Sequence, residues 1–118
     1  MPEKQKTNII KDKTFDFALM IIKLCKHLKN TKNEYVMTKQ LLRSGTSIGA
    51  NVEEAISAQS RKDFISKMSI ALKETRETNY WLRLLEESGY IQKERIIEKS
   101  IEIRKILSSI VKTTSQNS

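Results

Sequence analysis

Turn-forming residues are nearly missing from this chain. Its 118 residues include three glycines and one proline, and the proline is Pro2. Sheet proteins spend such residues at every hairpin, so the scarcity argues against strands and for long helices with few turns. Cysteine is scarcer still. Cys25 stands alone, which rules out an intrachain disulfide and a zinc site made of several thiolates. The single histidine, His27, follows Leu24 by three residues, so the Glu-x-x-His pair of a di-metal bundle is lacking. A bundle ribonuclease of the HEPN type needs Arg followed within several residues by His, and the first arginine, Arg43, comes after His27. There is no Walker loop, dinucleotide glycine fingerprint or nucleophile elbow. The expectation is a protein with no catalytic residues, no metal and no cofactor. The longest apolar run, Phe17 to Ile22, is too short to span a bilayer. The stretch from Met1 to Lys13 is polar and lysine-rich and does not read as a signal peptide. A cytoplasmic protein with no membrane partner is expected.

What the chain does have is positive charge. Lysine and arginine number 22 against 14 acids, a net charge of +8. Residues 1–33 carry eight bases and three acids, and residues 90–118 carry six bases and three acids, so the excess belongs to the two ends. Such asymmetry fits a polyanionic partner, RNA or DNA, while the plainer reading is a solvated lysine-rich surface that serves solubility.

The apolar residues repeat with a helical rhythm. Phe17, Ile21, Leu24 and Leu28 are spaced four, three, four. The same alternation runs through Leu41, Gly45, Ile48, Val52 and Ala55, then from Phe64 through Met68, Ala71, Thr75, Thr78 and Leu82 to Leu85, and finally through Ile96, Ser100, Ile103, Leu107 and Ile110. This is the seam of helices packed against near-parallel neighbours. Ser60 reads as an N-cap and Gly89 as a left-handed C-cap. The second helix starts at Glu34, or at Lys39 with Thr38 as cap. The spacing predicts helices near residues 12–30, 35–58, 61–88 and 92–112. Short connections make them antiparallel, an all-α up-down four-helix bundle in one domain of residues 12–112. Residues 1–11 are expected to form a flexible polar arm, and residues 113–118 a frayed tail.

Two helices carry surplus features. The first is apolar nearly all round, which calls for a second apolar partner, most simply another copy of the chain. The second holds Gly45 and Gly49, four apart, each costing about 1 kcal/mol against alanine inside a helix. A close neighbour on that face accounts for them, and a weak, kinked helix is the alternative.

Glu53 with Glu54, and Glu74 with Glu77, read either as helix-surface ion-pair partners or as carboxylates for metal or acid–base work. With a turn near residues 59–60, the second and third helices bring Arg43 beside position 76, within reach of Glu74 or Glu77. Arg43, Ser47, Asn51 and Glu54 then form a polar stripe. Trp81, next to Leu82 of the seam, reads as an edge-of-core or interface anchor.

Gln40-Leu41-Leu42-Arg43-Ser44-Gly45-Thr46-Ser47-Ile48-Gly49-Ala50-Asn51-Val52-Glu53-Glu54-Ala55 is a recognisable stretch, as are Lys73-Glu74-Thr75-Arg76-Glu77-Thr78-Asn79-Tyr80-Trp81-Leu82 and Glu87-Ser88-Gly89-Tyr90-Ile91. From about Phe15 onward the chain resembles the bacterial four-helix-bundle proteins first named for open reading frames in intervening sequences of 23S ribosomal RNA genes. Ala55 stands where many members have glycine. The resemblance implies a small bundle that assembles into a ring, often a pentamer. It also implies kinship with the accessory protein of diversity-generating retroelements, a basic pentameric barrel that works with a reverse transcriptase and nucleic acid. Most members have no established activity. The function expected is thus a non-enzymatic homo-oligomer that binds nucleic acid, or a nucleic-acid enzyme, through Lys23, Lys26 and Lys29 of the first helix and Arg95, Lys99, Arg104 and Lys105 of the fourth. A protein-only scaffold is the alternative.

Overall fold

Four α-helices account for almost all of the chain: α1 (Pro2–Lys32), α2 (Val36–Ile56), α3 (Arg61–Glu87) and α4 (Arg95–Gln116). The computed structural model describes residues 2–92 and 95–116, with side chains from residue 5 onward. Neighbours in sequence are neighbours in space, and α1 also packs on α4, so the four helices close an up-down bundle measuring 47 × 21 × 18 Å.

The repeating seam residues are the core. Phe17, Ile21 and Leu28 of α1, Leu41, Ile48 and Val52 of α2, Met68, Leu82 and Leu85 of α3, and Ile103 and Leu107 of α4 are all essentially sealed from solvent. Leu24 and Phe64 are partly buried and pack against this cluster. Each large apolar side chain taken from water in this way contributes about 1.5–3 kcal/mol. Hydroxyls also occupy the seam, each with its hydrogen bond satisfied. Thr75 donates to Ala71 O at 2.8 Å, Ser100 donates to Ile97 O at 2.7 Å, and Thr78 donates to Ser44 Oγ at 2.9 Å.

The helix ends follow local chemistry. Ser60 Oγ accepts from the Asp63 amide at 3.0 Å and opens α3. Gly89, at φ 88°, closes it: the Tyr90 amide donates to Leu85 O at 2.9 Å and the Gly89 amide to Glu86 O at 3.1 Å, the paired bonds of a Schellman turn. The start of α2 differs from both expected starts. Tyr35 is the N-cap and offers no side-chain bond. Glu34, one residue outside, does the capping: its carboxylate accepts from the amides of Met37 and Thr38, each at 2.9 Å, and from the Thr38 hydroxyl at 3.0 Å. Burial alone would raise the Glu34 carboxyl, but these bonds together hold it below the usual carboxylate range.

The ends of the bundle also correct the expectation. Residues 2–11 are not a loose arm. They extend α1, with Ile10 fully buried and Lys6 Nζ donating to Ser109 Oγ at 3.1 Å. Proline suits the first turn of a helix because its missing N–H has no partner there anyway. Likewise α4 runs through residues 113–116, where Thr114 is buried. Residues 117–118 of the expected tail lie outside the described residues.

Candidate functional site

Each seam around the ring of helices has its own chemistry. The α1–α2 seam is a close approach. A Cβ placed on Gly45 would lie 2.8 Å from the Ile21 side chain, and one on Gly49 would lie 3.4 Å from Thr14 O. The two glycines are thus the cost of bringing two backbones together, and no kink is needed to explain them. Cys25 sits on the same seam, its thiol donating to Thr38 O at 3.7 Å. Burial pushes that thiol up to about 11, against the opposing pull of the Lys29 charge.

The α2–α3 seam is ionic. Arg43 reaches across from α2 and is held by Glu77 through one guanidinium nitrogen and by Glu74 through the other, the latter at 3.2 Å. Trp81 Nε1 donates to the same Glu77 oxygen at 3.0 Å, so the indole is part of the network. Around it, Ser47 Oγ donates to Arg43 O at 2.6 Å and Asn51 Nδ2 donates to Ser47 O at 2.9 Å. Glu54, at the end of the stripe, pairs with Lys67 at 3.6 Å. Of the seven motif residues, Arg43, Glu54, Glu74 and Glu77 therefore tie the two helices together by ion pairs, while Ser47 and Asn51 bond back to carbonyls of α2 and Trp81 steadies Glu77 from within α3. Among the described residues, no group of three or more His, Cys, Asp or Glu side chains is placed to hold a metal ion.

The α1–α4 seam was expected to gather the basic residues of both chain ends, and it does so only in part. Lys13 pairs with Glu102 at 3.4 Å, and Lys99 reaches the same carboxylate at 3.9 Å. The two helices run antiparallel, so ten residues beyond Lys13 the Lys23 side chain stands level with the turn that precedes α4. Lys26 and Lys29 lie further on. Arg95 is the cation of α4 nearest that level, and it lines a shallow groove with Glu98, Lys99 and Glu102, a mixed-charge surface. Arg104 and Lys105 lie toward the opposite end of the bundle and turn to α3. There they meet Arg76, which no spacing in the chain groups with them, and with Ser108 the three line an open groove of about 330 Å³.

The outer surface of α1 carries the apolar surplus. Phe15 is 60% exposed, Leu19 53% and Ile22 37%, at helical spacing along one stripe. No helix among the described residues is long and apolar enough to cross a membrane.

Fold and surface together define a class: an all-α up-down four-helix bundle whose outer face is predominantly cationic. The chain belongs to the family of 23S rRNA-intervening sequence proteins, whose profile matches residues 6–112. It is similar to a solved structure from Bacteroides thetaiotaomicron, a protein of unknown function from the S23 ribosomal protein family. The two are 55% identical, with a TM-score of 0.88, over 91% of this chain and 98% of that one. No curated protein matches the chain. Neither the family nor the solved relative indicates an enzymatic activity.

Proposed function

We propose that this protein is a non-enzymatic homo-oligomer that binds RNA or DNA through its cationic surface, either directly or beside a nucleic-acid enzyme. The observation that carries this reading is the charge left over once the ion pairs are counted. Among the described residues, salt bridges engage Lys13, Arg43, Lys67 and Lys99, whereas Lys23, Lys26, Arg95 and Lys105 are exposed with no acidic partner given to them. Unspent cations on a rigid frame raise the local potential and attract phosphates without reading bases. The exposed Phe15, Leu19 and Ile22 stripe supports self-association, and the resemblance noted from the sequence supports a pentameric ring. A ring repeats whatever patch one subunit carries and so multiplies its field.

Electrophoretic retardation of RNA and DNA at low salt tests the binding, and light scattering tests the assembly. Binding that weakens steeply with salt, from a particle of several subunits, is the expected result. A protein that retards neither nucleic acid is a scaffold with a solubilising surface. A monomer at micromolar concentration refutes the assembly.

A further inference from the structure

We infer that the groove between α3 and α4 is the nucleic-acid track of this protein, with Arg76, Arg104 and Lys105 each meeting a backbone phosphate. This rests on the nucleic-acid reading above and gives it a place. Register brings the three cations together. Asn79 Nδ2 donates to Ser100 Oγ at 2.9 Å, which pins α3 to α4. Three residues back along α3 and four forward along α4, Arg76 comes level with Arg104. Arg76 and Lys105 are exposed, Arg104 is half-buried, and the lining contains no carboxylate.

The reason lies in how α3 sorts its charges. Glu74 and Glu77 face α2 and are used by Arg43 and Trp81. The bases left on the other flank have no described acid to neutralise them. Lys73 and Arg83 on α3 and Lys112 on α4 are further exposed cations on the two helices, and the positive stretch of α3 ends at Glu87, four residues beyond Arg83. Seven residues of helix separate Arg76 from Arg83, about 10 Å, so these two cations share one side of a rigid rod. Paired guanidinium groups with a hydroxyl alongside suit phosphate oxygens, which accept a planar fork of N–H donors. The Ser108 hydroxyl supplies the further donor.

Other polyanions fit less well. Membrane-surface helices and protein-binding grooves need apolar side chains among their cations. Among the described residues, α4 exposes no large hydrophobic side chain, and on α3 the exposed ones are Ile70 and Tyr80, of which Tyr80 lies between Arg76 and Arg83. A row of charges with a single amphipathic ring, Tyr80, among them suits a polymer held chiefly by its phosphates.

Fluorescence anisotropy with a labelled RNA oligonucleotide at low salt tests the placement, using the full chain. One variant combines Arg76→Glu, Arg104→Glu and Lys105→Glu. A second, Lys23→Glu with Lys26→Glu, reverses charge on α1 instead. The groove variant should lose at least about tenfold in affinity, and its log–log salt dependence should flatten by roughly two, about 0.7 for each single-strand phosphate contact removed. The α1 variant should lose less than about threefold. If the triple reversal disturbs folding by circular dichroism, the neutral pair Arg76→Gln and Lys105→Gln should still reduce affinity and flatten the salt slope by about one. Wild-type binding that survives the groove changes and falls with the α1 changes overturns the placement and leaves the nucleic-acid reading intact. A wild type that binds no RNA overturns both. Equal binding to anionic phospholipid vesicles, abolished by the same groove changes, also overturns it by showing a general anion surface.

Discussion

α2 meets its two neighbours in opposite ways. Against α1 it presents Gly45 and Gly49, and the contact is one of backbone on side chain with little room to spare. Against α3 it presents Arg43 and Glu54, and at the surface the contact passes through long side chains that reach across to Glu74, Glu77 and Lys67. Shape holds the first seam and charge holds the second. The first should answer to added volume and ignore salt, and the second should answer to salt and tolerate changes of size.

The largest effect should come from adding volume at the tight seam. Gly45→Val pushes a branched side chain into Ile21, which is fully buried and already 2.8 Å from the position of an added Cβ. A loss of about 3 kcal/mol in urea unfolding is expected, the same at low and high salt. The seam also carries its own reporter. Buried and with its pKa raised to about 11, Cys25 should resist alkylation in the native wild type at pH 8. In Gly45→Val the thiol should react faster, because the seam opens more often.

Removing charge from the other seam should cost less. Arg43→Ala leaves Glu74 unpaired, and that side chain is only 13% exposed. With Arg43 itself about half-exposed, the expected loss is about 1–2 kcal/mol, and it should shrink as salt is added. An effect that ignores salt would show that Arg43 acts by packing, and the contrast between the two seams would fail.

Glu34 sharpens the comparison at the point where α1 hands over to α2. Its folded pKa is lowered, so its contribution is complete above the unfolded value of about 4.3 and is lost as pH falls through the folded one. Glu34→Gln should cost about 1 kcal/mol at pH 7, as loss of a helix cap does, and the gap to wild type should close in acid. Thermal melts at neutral and acidic pH measure it.

The smallest stability effect belongs to the α3–α4 groove. Arg76→Gln removes no described ion pair and should change stability by less than about 0.5 kcal/mol. A larger loss would make the groove a third cohesive seam.

Much of this was legible in the sequence, for reasons that also explain the rest. The alternation of four and three fixed which residues face inward, because burial follows the helical period and needs no knowledge of neighbours. Ser60 and Gly89 announced helix ends because their chemistry is local. Arg43 could be set against Glu74 and Glu77 because a short turn determines the register of the hairpin. The inclusion of residues 2–11 in α1 was hidden, since their polar composition conceals a single buried face through Ile10. Glu34 was missed as a cap because it stands one residue outside the usual position. The grouping of Arg76 with Arg104 and Lys105 depends on how far α3 and α4 rotate about their own axes, and no spacing in the chain records that.

The contact of Lys6 with Ser109 fixes how the chain is threaded. Both ends of the described chain leave the bundle at one pole, beside the α2–α3 turn, and the other pole carries the α1–α2 turn with Tyr35 and Val36 facing solvent. The four rods thus form a loop broken at one place. A linker joining the two ends, with a new opening at residues 33–35, would reorder the chain as α2, α3, α4, α1 while keeping every helix beside its present neighbours. A domain fused to either end of the described chain would emerge from the same pole and leave the opposite one clear.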